Sequence, residues 1–311
     1  AASDVYKRQL QVLSGLHLEL KGNRLTVVGS DLDLVVRVTV EVGGEKDGSV
    51  VLSAQLGSEI VRAFDSGQVE VTVDDDGASV VSGRSNFSLR VMSSEEYPKF
   101  DEPNGESVTL DAGSVADALD QVIKAASLDD ARQILTGVLM AAEEDGLRFV
   151  ATDSYRLAVR DLPGTAVLGR DQTVLVPSRA LDMVRKILGG AENLTIRLGE
   201  RDASFEIDDV QVITRLIEGE FPNYRGLIPD DHPNVLVVDR IALQEAVGRV
   251  RILAQESTPV RLSMSSDGLE LVAITQDVGQ AHESLDATNE GSDFPVAFNP
   301  QFLLDGLQDS P

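Results

Sequence analysis

Hydrophobic and polar residues alternate along much of the chain. Alternation with a period of two is typical of strands that bury one face, and it predicts strands over Arg24–Val28, Leu34–Val40, Gln68–Val73 and Ser79–Ser82. An acidic segment that ends in glycine, Asp74–Gly77, lies between the last two. A metal site is one interpretation of this segment. A tight hairpin turn is favoured, because Asp-Gly suits the positive φ angles that such turns require.

Amphipathic segments with a period near 3.6 residues are interspersed with the strands. They predict helices over Gly57–Phe64, Ser114–Ala126, Arg179–Leu188 and Ile241–Ala254. Side-chain oxygens favour helix starts, because they accept hydrogen bonds from free backbone N–H groups, and glycine favours helix ends. The expected N-terminal caps are Asp111 or Ser114, Ser178 and Asp239, and the expected stop after the third helix is Gly189–Gly190.

The pattern repeats about every 122 residues. Leu25, Leu147 and Leu269 each open a similar seven-residue segment, and each lies 122 residues from the next. The segments around Pro98 and Pro222 match at a spacing of 124 residues. Self-similarity at a fixed interval indicates tandem copies of one unit. We therefore expect three domains, over residues 1–107, 108–229 and 230–311, with both outer copies clipped and residues 1–9 a sequencing or cloning junction.

The composition is that of an ordinary globular protein. With 42% hydrophobic and 25% charged residues, the chain has enough apolar surface to fold. It has no apolar run long enough for a transmembrane helix. The absence of cysteine excludes disulfides and thiolate zinc sites, and suits the cytoplasm. The net charge of −25 disfavours general adhesion to DNA or membranes, although basic residues could still gather on one face.

Sequence motifs of catalysis are missing. The chain has no glycine-rich phosphate loop, no dinucleotide-binding loop and no nucleophile elbow. Its three histidines lack metal-ligand spacing, and we interpret His17 as structural. Asp31 and Asp33 could form half of a two-metal phosphodiesterase site. Because Asp31 corresponds to Thr275 in the third repeat, a turn-capping role is favoured. We expect no catalytic residues, no metal and no cofactor.

Basic residues recur on equivalent helices of the repeats. A solvated helix surface explains any one of them, but their recurrence in so acidic a chain favours a shared positive face. They are Arg62, Lys124, Arg179, Arg185, Lys186, Arg240, Arg249 and Arg251.

Four segments together resemble the bacterial DNA polymerase III sliding clamp family, the beta subunits. They are Ser82–Leu89, Ala151–Val159, Val176–Arg179 and Gly219–Tyr224, and the resemblance extends from about Leu10 to Leu307. It implies an α+β fold of three clamp domains, with antiparallel sheets outside and two helices per domain inside. Two copies would form a homodimeric ring around duplex DNA and tether the replicative polymerase. The chain would be a non-catalytic subunit of a DNA-directed DNA polymerase, a nucleotidyltransferase complex, in the cytoplasm.

The resemblance also implies three functional surfaces. A pocket for short linear motifs of the polymerase, clamp loader and repair proteins would use Leu135, Thr152, Tyr155, Arg156, Leu157, Pro222 and Leu227. The dimer interface would use Ile60, Phe64, Phe87 and Leu89 on one side and Ile252 and Leu253 on the other. DNA would face Arg62, Lys124, Arg132, Arg179, Arg185, Lys186, Arg249 and Arg251, without sequence-specific contacts.

Two alternatives stay open at this stage. The leucines assigned to the pocket, Leu135, Leu157 and Leu227, could simply be core residues. The whole chain could also be a repeat adaptor, which would bind peptides and show no salt-sensitive association with DNA.

Overall fold

The structure is a computed structural model, which describes residues 11–74, 77–165, 167–169, 172–254 and 258–309. The expected junction at residues 1–9 and the acidic pair Asp75–Asp76 lie outside the described residues.

The described part of the first repeat contains eight strands and one α-helix. Its elements are a 3₁₀ turn (Gln11–Ser14), β1 (Gly15–Lys21), β2 (Arg24–Ser30), β3 (Leu34–Glu41), β4 (Gly48–Ser53), α1 (Ala54–Ala63), β5 (Glu70–Asp74), β6 (Gly77–Ser82), β7 (Ser85–Leu89), β8 (Val91–Met92) and a 3₁₀ turn (Ser94–Glu96).

The second and third repeats each show two α-helices within the described residues. The second contains β9 (Ser107–Asp111), α2 (Ala112–Val122), 3₁₀ turns (Ile123–Ala125 and Asp130–Thr136), β10 (Gly137–Glu143), β11 (Gly146–Thr152), β12 (Leu157–Pro163), β13 (Thr173–Pro177), α3 (Ser178–Ile187), β14 (Asn193–Leu198), β15 (Asp202–Ile207), β16 (Val210–Arg215) and a 3₁₀ turn (Arg225–Leu227). The third contains β17 (Val235–Val238), α4 (Arg240–Val250), β18 (Val260–Ser265), β19 (Gly268–Thr275), β20 (Gly279–Leu285), β21 (Ala287–Glu290), β22 (Phe294–Phe298) and α5 (Pro300–Asp309).

The element order confirms the repeat. β2, β11 and β19 begin at residues 24, 146 and 268, which are 122 residues apart. The predicted strands are present, and the predicted caps Asp111 and Asp239 accept hydrogen bonds from the N–H groups of Ser114 (2.7 Å) and Ala242 (2.8 Å).

Several details of the predicted helices are wrong. α1 begins at Ala54 and not at Gly57, and α4 ends at Val250 and not at Ala254. Ser178 is the first residue of α3 and not its cap; Pro177 precedes it and makes no side-chain capping bond. Proline suits this place, because it has no N–H to leave unpaired and its φ is already helical. The predicted continuation of α2 to Ala126 is a separate 3₁₀ turn, Ile123–Ala125.

The sheets join the first repeat to the second. A nine-stranded sheet has the order β8-β4-β1-β2-β3-β16-β15-β14-β9, so β3 of the first repeat pairs with β16 of the second. The other sheets are β12-β11-β10-β13, β20-β19-β18-β22, β5-β6-β7 and β17-β21.

The largest core lies in the second repeat, where α2 and α3 cover the inner faces of two sheets. Leu119, Phe149, Val184 and Phe205 are at most 1% exposed there. A helix layer on antiparallel sheets confirms the α+β class. Within the described residues, no helix combines the length and apolar character needed to cross a membrane.

Candidate functional site

The predicted peptide-binding residues begin at a tight turn between β11 and β12. Asp153 Oδ1 accepts hydrogen bonds from the backbone N–H groups of Tyr155 (2.9 Å) and Arg156 (3.0 Å). Ser154 adopts a φ of 78°, and the Thr152 hydroxyl donates to the Arg156 carbonyl oxygen at 2.6 Å. These bonds hold the turn in one shape and leave the Tyr155 side chain 81% exposed.

Arg132 braces this turn from the preceding segment. Its Nη1 donates to the Asp153 carbonyl oxygen at 2.8 Å, and its Nη2 donates to Ser127 Oγ at 3.0 Å. Its Nε donates to Asp129 Oδ2 at 3.2 Å. The guanidinium predicted to face DNA is therefore used within the second domain.

Arg156 connects the turn to the third domain. Its Nε donates to Asp153 Oδ2 at 3.0 Å, and its Nη1 donates to Asp305 Oδ2 on α5 at 2.5 Å. The guanidinium carbon lies 4.3 Å from the centroid of the Phe302 ring. Charge-assisted bonds and stacking on a ring are strong uses of arginine. Neither Phe302 nor Asp305 was among the predicted pocket residues.

The apolar part of the predicted pocket lies beside the turn. Leu157 packs with Val159 and Phe221 on a cluster that also buries Tyr224. The segment that carries Phe221 and Tyr224 also carries Pro222 and Leu227. The structure therefore brings residues 152–157 and the segment 221–227 together on one cluster.

Exposure separates the two interpretations of the pocket leucines. Leu227 is 68% exposed, so its interpretation as a core residue is wrong. Leu135 and Leu157 are half-buried and contribute to both packing and surface. Large exposed apolar side chains such as Tyr155 and Leu227 are typical anchors for a peptide.

Ion pairs fasten the segment 221–227 to the sheet. Arg225 pairs with Glu143 on β10, and its guanidinium carbon lies 5.5 Å from the centroid of the Tyr224 ring. Next to it, Arg148 donates to both carboxylate oxygens of Asp161, at 2.6 and 2.9 Å. The hydrogen bond to Asp161 raises the pKa of Arg148, and the hydrogen bond from Arg148 lowers the pKa of Asp161.

A cavity of about 660 Å³ lies on another side of the same segment. It shares only Pro222 with the predicted pocket, and its wall includes Leu175, Glu200, Ile217 and Phe221. Its walls combine the Gly219–Tyr224 motif with strand and loop residues that are distant along the chain, so the motif alone did not indicate this space.

The inner helices carry the predicted DNA-facing residues. α2 packs against α3, α4 packs against α5, and α2 contacts α5, so these four helices are neighbours. Lys124, after α2, donates to Gln308 on α5 at 3.4 Å. Arg62 and Arg251 are exposed and form no ion pair with another described residue.

Most of the other basic residues are paired with acids. Arg185 donates to Asp120 at 2.8 Å and to Asp182 at 2.9 Å, and Lys186 lies 2.7 Å from Asp182. Burial alone would raise the pKa of Asp182, but the hydrogen bonds from Lys186 and Arg185 outweigh it and lower the pKa. The hydrogen bond to Asp182 raises the pKa of Arg185. The local positive charge is thus smaller than a count of basic residues indicates.

The remaining two predicted DNA-facing residues show the same pairing. Arg249 donates to both oxygens of Glu283 at 2.9 Å, and this contact raises the pKa of Arg249 and lowers that of Glu283. Arg179 pairs with Asp31 of the first domain.

Asp31 itself is a turn residue. Its Oδ1 accepts hydrogen bonds from the N–H groups of Asp33 (3.2 Å) and Leu34 (2.9 Å), which confirms the turn-capping interpretation. In the described ranges, no three His, Asp or Glu side chains are grouped so that they could hold a metal ion.

The predicted interface residues differ in exposure. Phe64 and Phe87 pack with ring centroids 5.7 Å apart, and Phe87 remains 39% exposed. Ile252 is 81% exposed, whereas Leu89 and Leu253 are half-buried. Ile60 is only 8% exposed and packs within its own domain, so it is unavailable on the surface of a single chain.

Comparison with known families matches each repeat separately. The models of the N-terminal, central and C-terminal domains of the DNA polymerase III beta subunit match residues 2–101, 109–223 and 225–309.

Individual relatives match nearly the whole chain. The beta sliding clamp of Streptomyces coelicolor is 37% identical over 310 residues, covering 96% of this chain and 82% of the relative. That of Micrococcus luteus is 34% identical over 282 residues, covering 90% and 91%. Among solved structures, the Bacillus subtilis sliding clamp has a TM-score of 0.87 at 26% identity, covering 99% of this chain and 89% of that one. The Bartonella birtlesii sliding clamp bound to griselimycin has a TM-score of 0.91 at 26% identity, covering 99% and 88%.

Proposed function

Because the chain belongs to the DNA polymerase III beta subunit family, the beta sliding clamps, we propose that two copies close head to tail into a ring around duplex DNA. The chain is a processivity factor and a non-catalytic subunit of the polymerase. Its three clamp domains would occupy residues 1–107, 108–229 and 230–311, and the ring would act in the cytoplasm, where replication requires it.

Edge strands support the head-to-tail ring. Within the chain, the first domain joins the second by pairing β3 with β16. The equivalent of β3 in the third domain is β20, and the equivalent of β16 in the first domain is β7. Both stand at the edge of their sheets in the part of the chain that the structure describes. Free edges are templates for further pairing, so β7 of one copy would pair with β20 of the other. This is the observation that carries the proposal.

The register of the visible junction predicts the register between copies. Gln211 on β16 lies opposite Arg37 on β3, and Arg37 Nη1 donates to Gln211 Oε1 at 2.6 Å. Strand pairing places Asn86 on β7 where Gln211 lies on β16, and His282 on β20 where Arg37 lies on β3. We therefore expect Asn86 of one copy opposite His282 of the other. An asymmetric contact of this kind closes when the rotation between copies completes a circle.

A topological link reconciles the acidic chain with DNA. A ring needs no tight contact, because it stays on DNA that has no free end. The exposed Arg62 and Arg251, and the paired basic residues on the inner helices, would supply a weak and salt-dependent attraction to phosphates. The acidic remainder would repel DNA from the outside.

The test uses one DNA substrate in two forms. The clamp loaded onto a nicked circle should stay bound during gel filtration and should be lost after the circle is linearised. Equal retention on both forms would contradict encirclement. If the chain is retained on neither form of the DNA and shows no salt-sensitive association with DNA, the repeat adaptor is favoured.

We also propose that partner proteins, namely the replicative polymerase, clamp loader and repair proteins, dock short peptides at the pocket formed by Thr152, Tyr155, Arg156, Leu157 and Leu227, with Leu135 and Pro222 at its margin. Truncating Tyr155 and Leu227 to alanine should weaken a polymerase-derived peptide at least about tenfold, since exposed anchors of this kind contribute about 1 to 2 kcal/mol each. Leu128→Ala is the matched control, because Leu128 is 97% exposed and lies outside the pocket. Unchanged affinity in the double variant would contradict the assignment.

A further inference from the structure

The helices that directly follow β4, β13 and β22 begin at Ala54, Ser178 and Pro300. Leu56 on α1 and Phe302 on α5 are each the third residue of their helix. The local contacts support this match: Gln55 donates to Glu59 at 3.0 Å in α1, as Gln301 donates to Asp305 at 2.7 Å in α5. In α3, Arg179 lies one position earlier in the same first turn.

At both junctions inside the chain, the first turn of this helix contacts the preceding domain. Arg179 pairs with Asp31, in the turn between β2 and β3. Phe302 lies under the guanidinium of Arg156, in the turn between β11 and β12, at 4.3 Å. The same helix turn is used in both cases, but the chemistry is different: an acid meets an arginine at the first junction, and an arginine meets a ring at the second.

The corresponding contact between the first domain and a third domain is not made within one chain, and the side chains on both of its sides are exposed. Leu56 on α1 is 48% exposed. The equivalent turn of the third domain, between β19 and β20, presents Ile274 at 66% and Val278 at 53% exposure. This turn replaces the capping aspartate by Thr275, whose hydroxyl donates to the Leu253 carbonyl oxygen at 2.5 Å. Leu56, Ile274 and Val278 are thus apolar where the other junctions use the charged Arg179, Asp31 and Arg156.

We propose that Leu56 of one copy packs against Ile274 and Val278 of a second copy, and that this apolar contact, in contrast to the two ionic ones, specifies which domains join. The inference rests on the proposed ring. A mismatched junction is penalised: Asp31 against Leu56, or Arg179 against Val278, would lose water around a charge without gaining a partner. Leu56 on α1 and the turn that it contacts therefore select one order of domains around the ring.

The test is a charge exchange that introduces an arginine and an aspartate at the proposed contact. Sedimentation velocity over a concentration series gives the dimer dissociation constant of the 311-residue chain and its variants. Leu56→Arg and Val278→Asp should each weaken the dimer at least about tenfold, because each places an unpaired charge in an apolar contact. The double variant L56R/V278D should recover most of that loss, since the two charges can pair as Arg179 and Asp31 do. Raising NaCl should weaken the double variant more than the wild type.

Two controls accompany the exchange. Leu128→Arg places the same charge on an exposed leucine of the second domain and should leave the dimer unchanged. Leu56→Gln introduces a polar side chain without a charge, and it should weaken the dimer less than Leu56→Arg does. A urea unfolding transition checks that each variant folds, so that a weaker dimer is not mistaken for misfolding.

The possible results distinguish a failure of the proposed ring from a failure of the proposed specificity of the contact. A wild-type chain that stays monomeric at all concentrations overturns the proposed ring and this inference together. A wild-type dimer that L56R leaves intact overturns the inference alone, and so does a double variant no better than either single one.

Discussion

The two junctions between domains of one chain are held by different means. At the first, five residues of β3, from Leu34 to Val38, pair with β16, so the backbone itself crosses from one domain to the next. At the second, no strand pairing joins the domains within the described residues. The contacts described there include Arg156 with Asp305 and Phe302, and neighbouring helices. A backbone ladder tolerates the loss of one side chain, whereas a junction held by side-chain and helix contacts should be weakened when Arg156 is lost.

The largest expected effect comes from breaking the backbone ladder. Val35 lies opposite Ile213 on β16. The Arg215 N–H donates to the Asp33 carbonyl oxygen and the Thr39 N–H donates to the Asp209 carbonyl oxygen, so Val35 occupies a hydrogen-bonded position of this ladder. Val35→Pro removes a ladder N–H and should lower the free energy of unfolding by about 3 kcal/mol or more. Urea unfolding followed by circular dichroism measures this, with Val35→Ala as the control for lost packing. Equal losses in the two variants would show that the ladder is not what holds this junction.

The second expected effect comes from removing the arginine of the second junction. Arg156→Ala leaves Asp305 without its cation and Phe302 without its stacking partner, and should cost about 1.5 to 3 kcal/mol. Limited proteolysis between residues 225 and 240 should become faster, because the third domain is held less firmly. Arg156→Lys should be intermediate, since lysine keeps the charge and lacks the planar fork. A protease pattern identical to that of the wild type would contradict this view of the junction.

A smaller effect is expected for the ion pair of the first junction. The Arg179 side chain is 66% exposed, and exposed ion pairs contribute at most about 1 kcal/mol. Arg179→Ala should therefore change the urea midpoint only slightly, because the ladder between β3 and β16 persists. A loss as large as that of Arg156→Ala would remove the contrast between the two junctions.

The smallest expected effect depends on pH and lies in the ladder-bearing sheet. His17 on β1 stacks on Tyr97 with ring centroids 5.2 Å apart, and burial lowers its pKa, with Glu19 opposing in part. The unfolded chain then binds a proton more readily, so stability should fall as the pH drops below the ordinary value of 6.5. Thermal unfolding at pH 7.5 and 5.5 should show a loss below about 1 kcal/mol. A His17→Phe variant that keeps the full pH dependence would exclude His17 as its source.

The sequence predicted what is local and repeated. Spacing identified three domains, and period and capping identified most strands and helices, because these depend on neighbouring residues. Contacts between distant segments could not be predicted in this way: Phe302 and Asp305 meet Arg156 only after α5 packs beside the second domain. The repeat offered one unused signal, since Phe302 is the third residue of α5, as Leu56 is the third residue of α1.

The basic residues show the same limit of prediction from sequence. Arg185 and Lys186 were predicted to face DNA, yet Asp182 lies one turn away on the same helix and pairs with both. The spacing of three and four residues along the helix predicts that pairing from the sequence. The pairing of Arg249 with Glu283 joins α4 to β20, 34 residues further along the chain, and no local spacing predicts it.

Closure of the proposed ring depends on pairing between β7 of one copy and β20 of the other. The chain has no cysteine, so introduced pairs report without background. Asn86→Cys and His282→Cys, made in separate chains and mixed, should form a disulfide-linked dimer under mild oxidation, because residues opposite each other on paired strands satisfy disulfide geometry. Each variant alone should not, and Asn86→Cys mixed with Ser284→Cys, two residues out of register, should react far less. Absence of the mixed dimer, or equal yield from the slipped pair, would contradict the ring.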